Sequence, residues 1–387
     1  MQHTDYQFAY HVNQIAKLLY SGQTAKIHTY AATLEHNMQD KLSPWLTSTL
    51  ANEFSGSSVE LPASLSEYQS CASGWRAYYQ HDYVLAHQHF AQAIAADNWQ
   101  HYALTSALGL AKVYTRSGHW QAARDWCLYY LSLARQQSYH FDVAKGYGAL
   151  AEIFLRASCA KEALACFQTA YHLMPLGQGQ QSKQYNFMAS ALMRNKEALR
   201  AEVLLHTSRQ ISRNVLDIDP DNQDALASLC HSTMRFYYLN LLQSDHDMPV
   251  RVNQDDEKLM LHIAPSHGLA AVPLGLLQVA KGIGCLKHDS EQAQGYFAQA
   301  MQNFGPKLVM EYQWAARLQA SCTDSVAGQN VDALAAIFAL QPIVPPVFDA
   351  VLDHTWQQVE LSNQGFSPLI KAHTAEQLAE LWTLFFI

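Results

Sequence analysis

The feature that most constrains this chain is a recurring pair of short amphipathic segments separated by a turn. Apolar residues recur at helical spacing almost everywhere in the sequence, in pieces of roughly 12 to 20 residues, and the strict alternation typical of strands hardly appears. Helices this short bury their apolar faces only by packing on one another, so we expect them in stacked pairs. The pattern predicts an all-α protein.

The clearest pair lies between Asp142 and Gly177. A large residue, Leu, a small residue and an aromatic mark its first segment, and Ala, an aromatic, Ala and Pro mark the second. These positions are Tyr147, Leu150, Ala151, Phe154, Ala163, Phe167, Ala170 and Pro175. Small residues let two helices cross closely, aromatic residues fill the adjoining holes, and a proline ends the second helix.

The same register recurs upstream of this pair. The equivalent alanines are Ala86, Ala123 and Ala163, which lie 37 and 40 residues apart. The pattern resembles the tetratricopeptide repeat (TPR), a unit of two helices that recurs at about 34 residues. The resemblance implies a TPR-like α-α superhelix of antiparallel helix pairs.

Four regions are expected along the chain. Residues 1–66 are predicted to hold an N-terminal helical pair and a connection, and residues 67–177 hold the three clear TPR-like repeats. Residues 178–240 are predicted to form degenerate TPR-like helices. Residues 241–387 are predicted to be a helical C-terminal region with one further degenerate repeat and a break at Pro345.

The composition excludes several classes of protein. Hydrophobic residues make up 49% of the chain and charged residues 15%, which argues against global disorder. A net charge of -8 argues against a nucleic-acid or membrane-surface partner, since both require a basic footprint. Seven cysteines without a C-x-x-C pair, and an N-terminus without a signal-peptide pattern, favour a soluble protein of the reducing cytoplasm.

The motifs that could carry chemistry fail on inspection. The acidic string from Asp217 to Asp224 imitates a calcium loop, but its sixth position is Asn222 where Gly is needed, and its twelfth is Ser228 where Glu is needed. Asp221 or Asn222 is better explained as the cap of a helix. Ser158-Cys-Ala-Lys matches S-x-x-K only in letters, because it falls at a turn between repeat helices. We predict no metal, no cofactor and no catalytic residue.

A binding surface is predicted instead from the geometry of the repeat family. In a TPR superhelix the first helix of each pair lines a concave groove, and an aromatic and basic set of residues occupies the inward positions here. The candidate partner-binding residues are Tyr68, Trp75, Tyr78, Tyr79, Lys112, Arg116, Lys145, Glu152 and Arg156. Aromatic and basic groups together suit an acidic or carboxylate-bearing peptide. The alternative is that Trp75 and Tyr78 pack on a neighbouring helix and that the basic side chains are simply solvated.

The last residues, Leu381 to Ile387, are strongly apolar. Repeat arrays normally end in a polar cap. We therefore expect this end to be tucked onto the last helices or to bury itself against a second copy of the chain in a homodimer.

A second resemblance covers more of the chain. The stretches Gly109–Gly118, Phe141–Ala151 and Ala170–Gln184 resemble the helical part of TPR-containing bacterial response regulators of the VieB type. In that group a phosphoreceiver domain precedes the helical array, which implies a sensor kinase or another signalling partner. The sequence shows no parallel-sheet domain and no acidic pocket with a phosphoacceptor Asp. Either the chain corresponds to the effector part alone, or the resemblance is that of TPR proteins in general.

Three functions compete. The first is a non-enzymatic adaptor or regulator that holds a partner protein in its groove. The second is a sensor that closes around a peptide or small ligand, and the third is an enzyme with its chemistry in residues 240–387. A peptide-receptor type of sensor should carry a DNA-binding helix-turn-helix, which is not evident, and an enzyme should show convergent titratable residues. The adaptor is the favoured prediction.

Overall fold

Fourteen helices account for most of the chain that the computed structural model describes. The described residues are 25–34, 69–95, 100–173, 178–220, 222–243, 268–286, 288–305, 309–322, 337–348, 354–361 and 377–379, with single positions between 10 and 18 and at 255 and 258. No strand occurs within these ranges. The helices divide into two compact units, of which the first includes the described parts of Met1–Pro175 and Ala336–Gly365 and the second those of Leu176–Ala335 and Phe366–Ile387.

The first unit contains the predicted repeats as helix hairpins. Its helices are α1 (Ala25–Ala32), α2 (Gln69–Tyr79), α3 (Tyr83–Ala95), α4 (Gln100–Ser117), α5 (Trp120–Gln136), α6 (His140–Arg156), α7 (Ala160–Leu173) and the short α14 (His354–Gln357). From α2 to α7 each helix packs on the next one, and α2, α4 and α6 also pack on each other in that order. The all-α fold of antiparallel helix pairs is confirmed, and α2, α4 and α6 are the first helices of three successive pairs.

The helices of these pairs pack closely because a glycine lies at the point where an aromatic ring packs against the neighbouring helix. Phe90 on α3 is fully buried between Gly74 on α2 and Gly109 on α4. A Cβ atom on Gly109 would lie 2.4 Å from the ring, and one on Gly74 would lie 2.6 Å from it. The alanine of each second helix, at Ala86, Ala123 and Ala163, is also fully buried. The predicted roles of the small and aromatic positions are therefore confirmed.

The turns inside and between the pairs share one geometry. After α2, α4, α5, α6 and α8 (Gln178–Arg194) a single residue adopts a positive φ, and the next backbone N–H donates to the carbonyl five residues earlier. After α6, for example, Ser158 has a φ of 65° and the Cys159 N–H lies 2.8 Å from the Phe154 oxygen. This is the Schellman helix end. Ser158 thus belongs to a turn, as the sequence predicted.

The second unit continues with longer helices. They are α8 (Gln178–Arg194), α9 (Ala198–Ile218), α10 (Gln223–Gln243), α11 (Gly268–Cys285), α12 (Ser290–Phe304) and α13 (Val309–Ser321). Helix α9 ends before Asp219-Pro220, and the Asn222 Oδ1 accepts a hydrogen bond of 3.1 Å from the Ala225 N–H. The capping role predicted for this stretch is confirmed. The expected late pair is α11 with α12, where Phe297 packs on Gly282.

Part of the C-terminal region differs from the prediction of a helix with one break. Residues 340–348 lie outside any helix, and they pack in the first unit. Ile343 is held at both backbone groups: its N–H donates to the Tyr114 Oη at 2.9 Å, and its carbonyl accepts from the Trp126 Nε1 at 2.7 Å. Prolines at 342, 345 and 346 disfavour a helix here. The segment therefore takes its backbone partners from repeat side chains.

Substitution of Gly109 by Ala tests the close crossing. We expect Gly109→Ala to lower the free energy of unfolding by about 1–3 kcal/mol, because the added Cβ meets a ring that Gly74 already confines on another side. The matched control is Gly148→Ala on α6, where a Cβ meets nothing within 4 Å. The control should gain up to about 1 kcal/mol from helix propensity. Urea denaturation followed by circular dichroism measures both, and equal effects of the two substitutions would contradict the packing argument.

Candidate partner-binding face

Helices α4 and α6 bring four charged candidates together. Lys112 and Arg116 lie one turn apart on α4, and Glu152 and Arg156 lie one turn apart on α6. The Glu152 Oε1 accepts a hydrogen bond of 3.4 Å from the Arg156 Nε. All four side chains are partly exposed, as a binding face requires. The geometry therefore places these predicted residues on one face of two neighbouring first helices.

The electrostatics of Glu152 show how closely the four groups interact. Burial by itself would raise the pKa of this carboxyl, but the positive charges of Lys112, Arg156 and Arg116 and the hydrogen bond from Arg156 lower it to about 2. Glu152 is thus ionised at every physiological pH. These four groups together carry a net charge of +2, and we call the surface that they form the α4–α6 cationic face.

The aromatic half of the predicted surface is different, and Trp75 has to be corrected. Its side chain is only 3% exposed and packs edge-on against the Phe90 ring at 5.2 Å, so it belongs to the core and presents no ring to a groove. A large residue fits at position 75 of α2 because α3 covers this side chain. The packing alternative considered for Trp75 is the one that the structure adopts.

Tyr78 and Tyr79 keep some exposure. The Tyr79 ring stacks on Trp75 at 5.9 Å, and the Tyr78 ring meets Trp75 at 5.8 Å and Tyr83 at 5.6 Å. Both rings are half-buried, so each offers one edge or face to the surface. Tyr68 lies outside the described residues.

Lys145 does not join the charged cluster. It lies on α6 two turns before Glu152 and is half-buried, but its charge is not among those that act on the Glu152 carboxyl. The sequence placed Lys145 and Glu152 in one groove because their positions share a helix face. The charges that lower the pKa of Glu152 come from α4 and from the next turn of α6.

The structure also shows interacting residues that the sequence reading missed. Arg124 on α5 is 7% exposed, and its Nη1 donates to the Val359 carbonyl at 2.8 Å, while Trp356 meets Phe154 at 5.7 Å. With Trp126, these side chains contact residues 343, 356 and 359 within the first unit. A buried Arg among apolar residues of an amphipathic helix was the available signal, because such a charge needs a partner.

The second unit contains another cation that the sequence reading missed. Arg235 on α10 is 6% exposed, and it packs beside Ser190 of α8. Around it the interface of α8, α9 and α10 is filled with small polar side chains. The buried members of this set are Ser182, Asn186, Ser190, Ser208, Ser212, Ser228 and Ser232. Such a polar seam departs from the Ala and Phe pattern of the first unit, which explains why repeat register did not reveal it.

Within the described residues, no three His, Cys, Asp or Glu side chains are grouped so that they could hold a metal ion. None of the described helices has the length and apolar character needed to cross a bilayer.

Cys127 and Cys166 are fully buried. The apolar end from Leu381 to Ile387, proposed as a dimer contact, lies outside the described residues.

Comparison with known proteins adds one solved structure. No family model matches the chain, and no curated protein matches it. The chain is similar to NprR, solved in complex with its cognate peptide NprX, with a TM-score of 0.45 and 10% sequence identity over 86% of this chain and 88% of that one.

The pH dependence of stability tests the Glu152 cluster. The pKa of Glu152 is lower in the folded protein than the ordinary value of 4.5, so its ionised form stabilises the fold above about pH 4.5 and this contribution is lost as the pH falls toward 2. We expect Glu152→Gln to be less stable than the wild type at pH 7, with a difference that shrinks on acidification. Denaturant unfolding at pH 7 and pH 3 measures it.

The control is Glu162→Gln on α7, which removes one carboxylate outside the cluster. It should show no comparable change between the two pH values. A Glu152→Gln deficit that stays constant from pH 7 to pH 3 would contradict the assignment of a lowered pKa.

Proposed function

We propose that this chain is a non-enzymatic interaction module of a bacterial signalling or regulatory system, and that it binds an acidic segment of a partner protein along its first helices. The observation that carries the proposal is the excess positive charge of the α4–α6 cationic face in a chain of net charge -8. A sensor kinase of the cytoplasm is one partner of this kind.

The cationic face suits a carboxylate better than a neutral partner. Guanidinium groups offer several N–H donors in one plane, and in the cluster the Arg156 Nε donates to Glu152. An incoming carboxylate adds charge-assisted hydrogen bonds without requiring a new cation to be buried. The half-buried Tyr78 and Tyr79 supply apolar contact on α2, the neighbouring first helix.

The non-helical segment at 340–348 is a precedent within this chain for the binding of a peptide backbone. Side chains of α4 and α5 hold Ile343 through both of its backbone groups, with Tyr114 as acceptor and Trp126 as donor. The first unit thus already holds non-helical chain by side-chain hydrogen bonds to the backbone. A partner segment could be held by similar hydrogen bonds to its backbone, while its carboxylates pair with the cations of the α4–α6 cationic face.

A ligand sensor is the second candidate function. The buried Arg235 of the second unit favours it, because a charge of this kind is suited to a small anionic group.

Affinity capture from native cells tests the adaptor. We expect the double variant Lys112→Gln/Arg116→Gln to capture at least about tenfold less of a partner that the wild type retains. The substitutions remove two charged contacts at the binding face. The charge-matched control is Lys161→Gln/Arg200→Gln, which changes exposed cations on the second helices α7 and α9. Quantitative mass spectrometry reads the captured proteins, and circular dichroism confirms that both variants are helical.

The control should retain the partner at the wild-type level. A set of captured proteins that is identical for the wild type and the Lys112/Arg116 variant would overturn the role of the cationic face.

A further inference from the structure

Arg235 is a buried cation whose charge is not balanced by any described carboxylate. Its Nε donates to the Ser190 Oγ at 2.5 Å, and its Nη1 points to the His231 carbonyl at a long 3.5 Å. Both acceptors are neutral. Among the ion pairs of the described residues, none includes Arg235. Among the described residues, the hydrogen-bond acceptors of the guanidinium are thus one hydroxyl and one weakly placed carbonyl.

This arrangement is costly for the protein alone. Removing a guanidinium from water costs several kcal/mol unless an anion compensates it. Burial lowers the pKa of Arg235 to about 10, so the group still carries its charge at neutral pH. Proteins normally bury arginine with a carboxylate, and here the usual partner has to come from outside the described residues.

The neighbouring groups add positive charge rather than negative charge. His231 lies one turn before Arg235 on α10, and Lys183 lies on α8. Burial, then the charges of Arg235 and Lys183, lower the pKa of His231 to about 3, which shows that both cations act on the imidazole. His231 is neutral at pH 7, and its Nδ1 is buried without a hydrogen-bond partner. One cation, one neutral ring and a second cation therefore share the seam of α8 and α10.

The exposure of these three side chains decreases from α8 toward Arg235. Lys183 is exposed, His231 is half-buried and Arg235 is buried. Phe187 of α8 covers one face of the guanidinium, with 5.9 Å between its ring centroid and the Arg235 Cζ. Positive charge thus extends from the exposed Lys183 past His231 to the buried Arg235.

We infer that the seam between α8 and α10 binds an oxyanion, the carboxylate or phosphate group of a small or peptide ligand, with Arg235 as its ion-pair partner. Lys183 attracts the anion at the surface, and the imidazole of His231 donates one N–H to it. The Ser190 hydroxyl fixes the guanidinium through its Nε. This site lies in the second unit, and it stands whether or not the cationic face of the first unit binds a partner.

Thermal unfolding with simple anions tests the inference. We expect millimolar phosphate or succinate to raise the Tm of the full chain more than chloride at equal ionic strength, since a ligand that binds only the folded state stabilises it. Phosphate and succinate in separate arms distinguish the two chemistries. Isothermal titration calorimetry gives the Kd. Equal Tm values in all three anions would overturn the site.

Variants then assign the site to the seam. Arg235→Met keeps the length of the side chain and removes the charge; we expect at least about a tenfold weaker Kd and, without added oxyanion, a Tm at or above that of the wild type. If Arg235→Met fails to fold, the surface variant Lys183→Gln tests the site instead, and we expect its affinity for the anion to be about two- to fivefold weaker. Lys161→Gln, an exposed lysine of α7, is the matched control and should bind as the wild type does.

Wild-type affinity in Lys183→Gln, or an equal loss in Lys161→Gln, would place the anion elsewhere and overturn the inference. Wild-type affinity in a folded Arg235→Met would do the same.

Discussion

The close crossing of helices at small residues is the constraint on which the rest of the molecule depends. Phe90 fills the space between Gly74 and Gly109, and Phe297 packs on Gly282 in the same way in the second unit. A larger residue at these glycines would push the helices apart and open the core around the ring. Because three successive first helices are held this close, charged side chains on α4 and α6 come within reach of one another.

The two units treat buried charge in opposite ways. In the first, Glu152 is surrounded by three cations, and its pKa of about 2 reflects their attraction. In the second, Arg235 has no such partner among the described residues and donates to the Ser190 hydroxyl and the His231 carbonyl. The first arrangement stabilises the fold, and its three cations and one carboxylate together carry a net positive charge. The second leaves a cation without a counter-ion among the described residues, and a bound oxyanion would compensate that charge.

Several elements could be predicted because they depend on local chemistry. The spacing of Ala86, Ala123 and Ala163 indicated the helix pairs, and the structure buries all three alanines. Asp219-Pro220 followed by Asn222 indicated a helix end and a cap, and both are present. Trp75 could not be assigned in the same way. Its position on the helix fits a groove or a core equally well, and only the packing of α3 decides that it is 3% exposed.

The sequence by itself determined that this chain is all-α, where its helix pairs begin and end within residues 67–177, and that basic residues collect on first helices. Helical periodicity, turn residues and charge are local properties. The tertiary structure decided which of those residues meet. It joined Lys112 and Arg116 to Glu152, and it brought Ile343 back to Tyr114 and Trp126 across more than two hundred positions. It also buried Arg235 beside Ser190. Contacts of this kind depend on how helices pack in space, and no spacing along the chain encodes them.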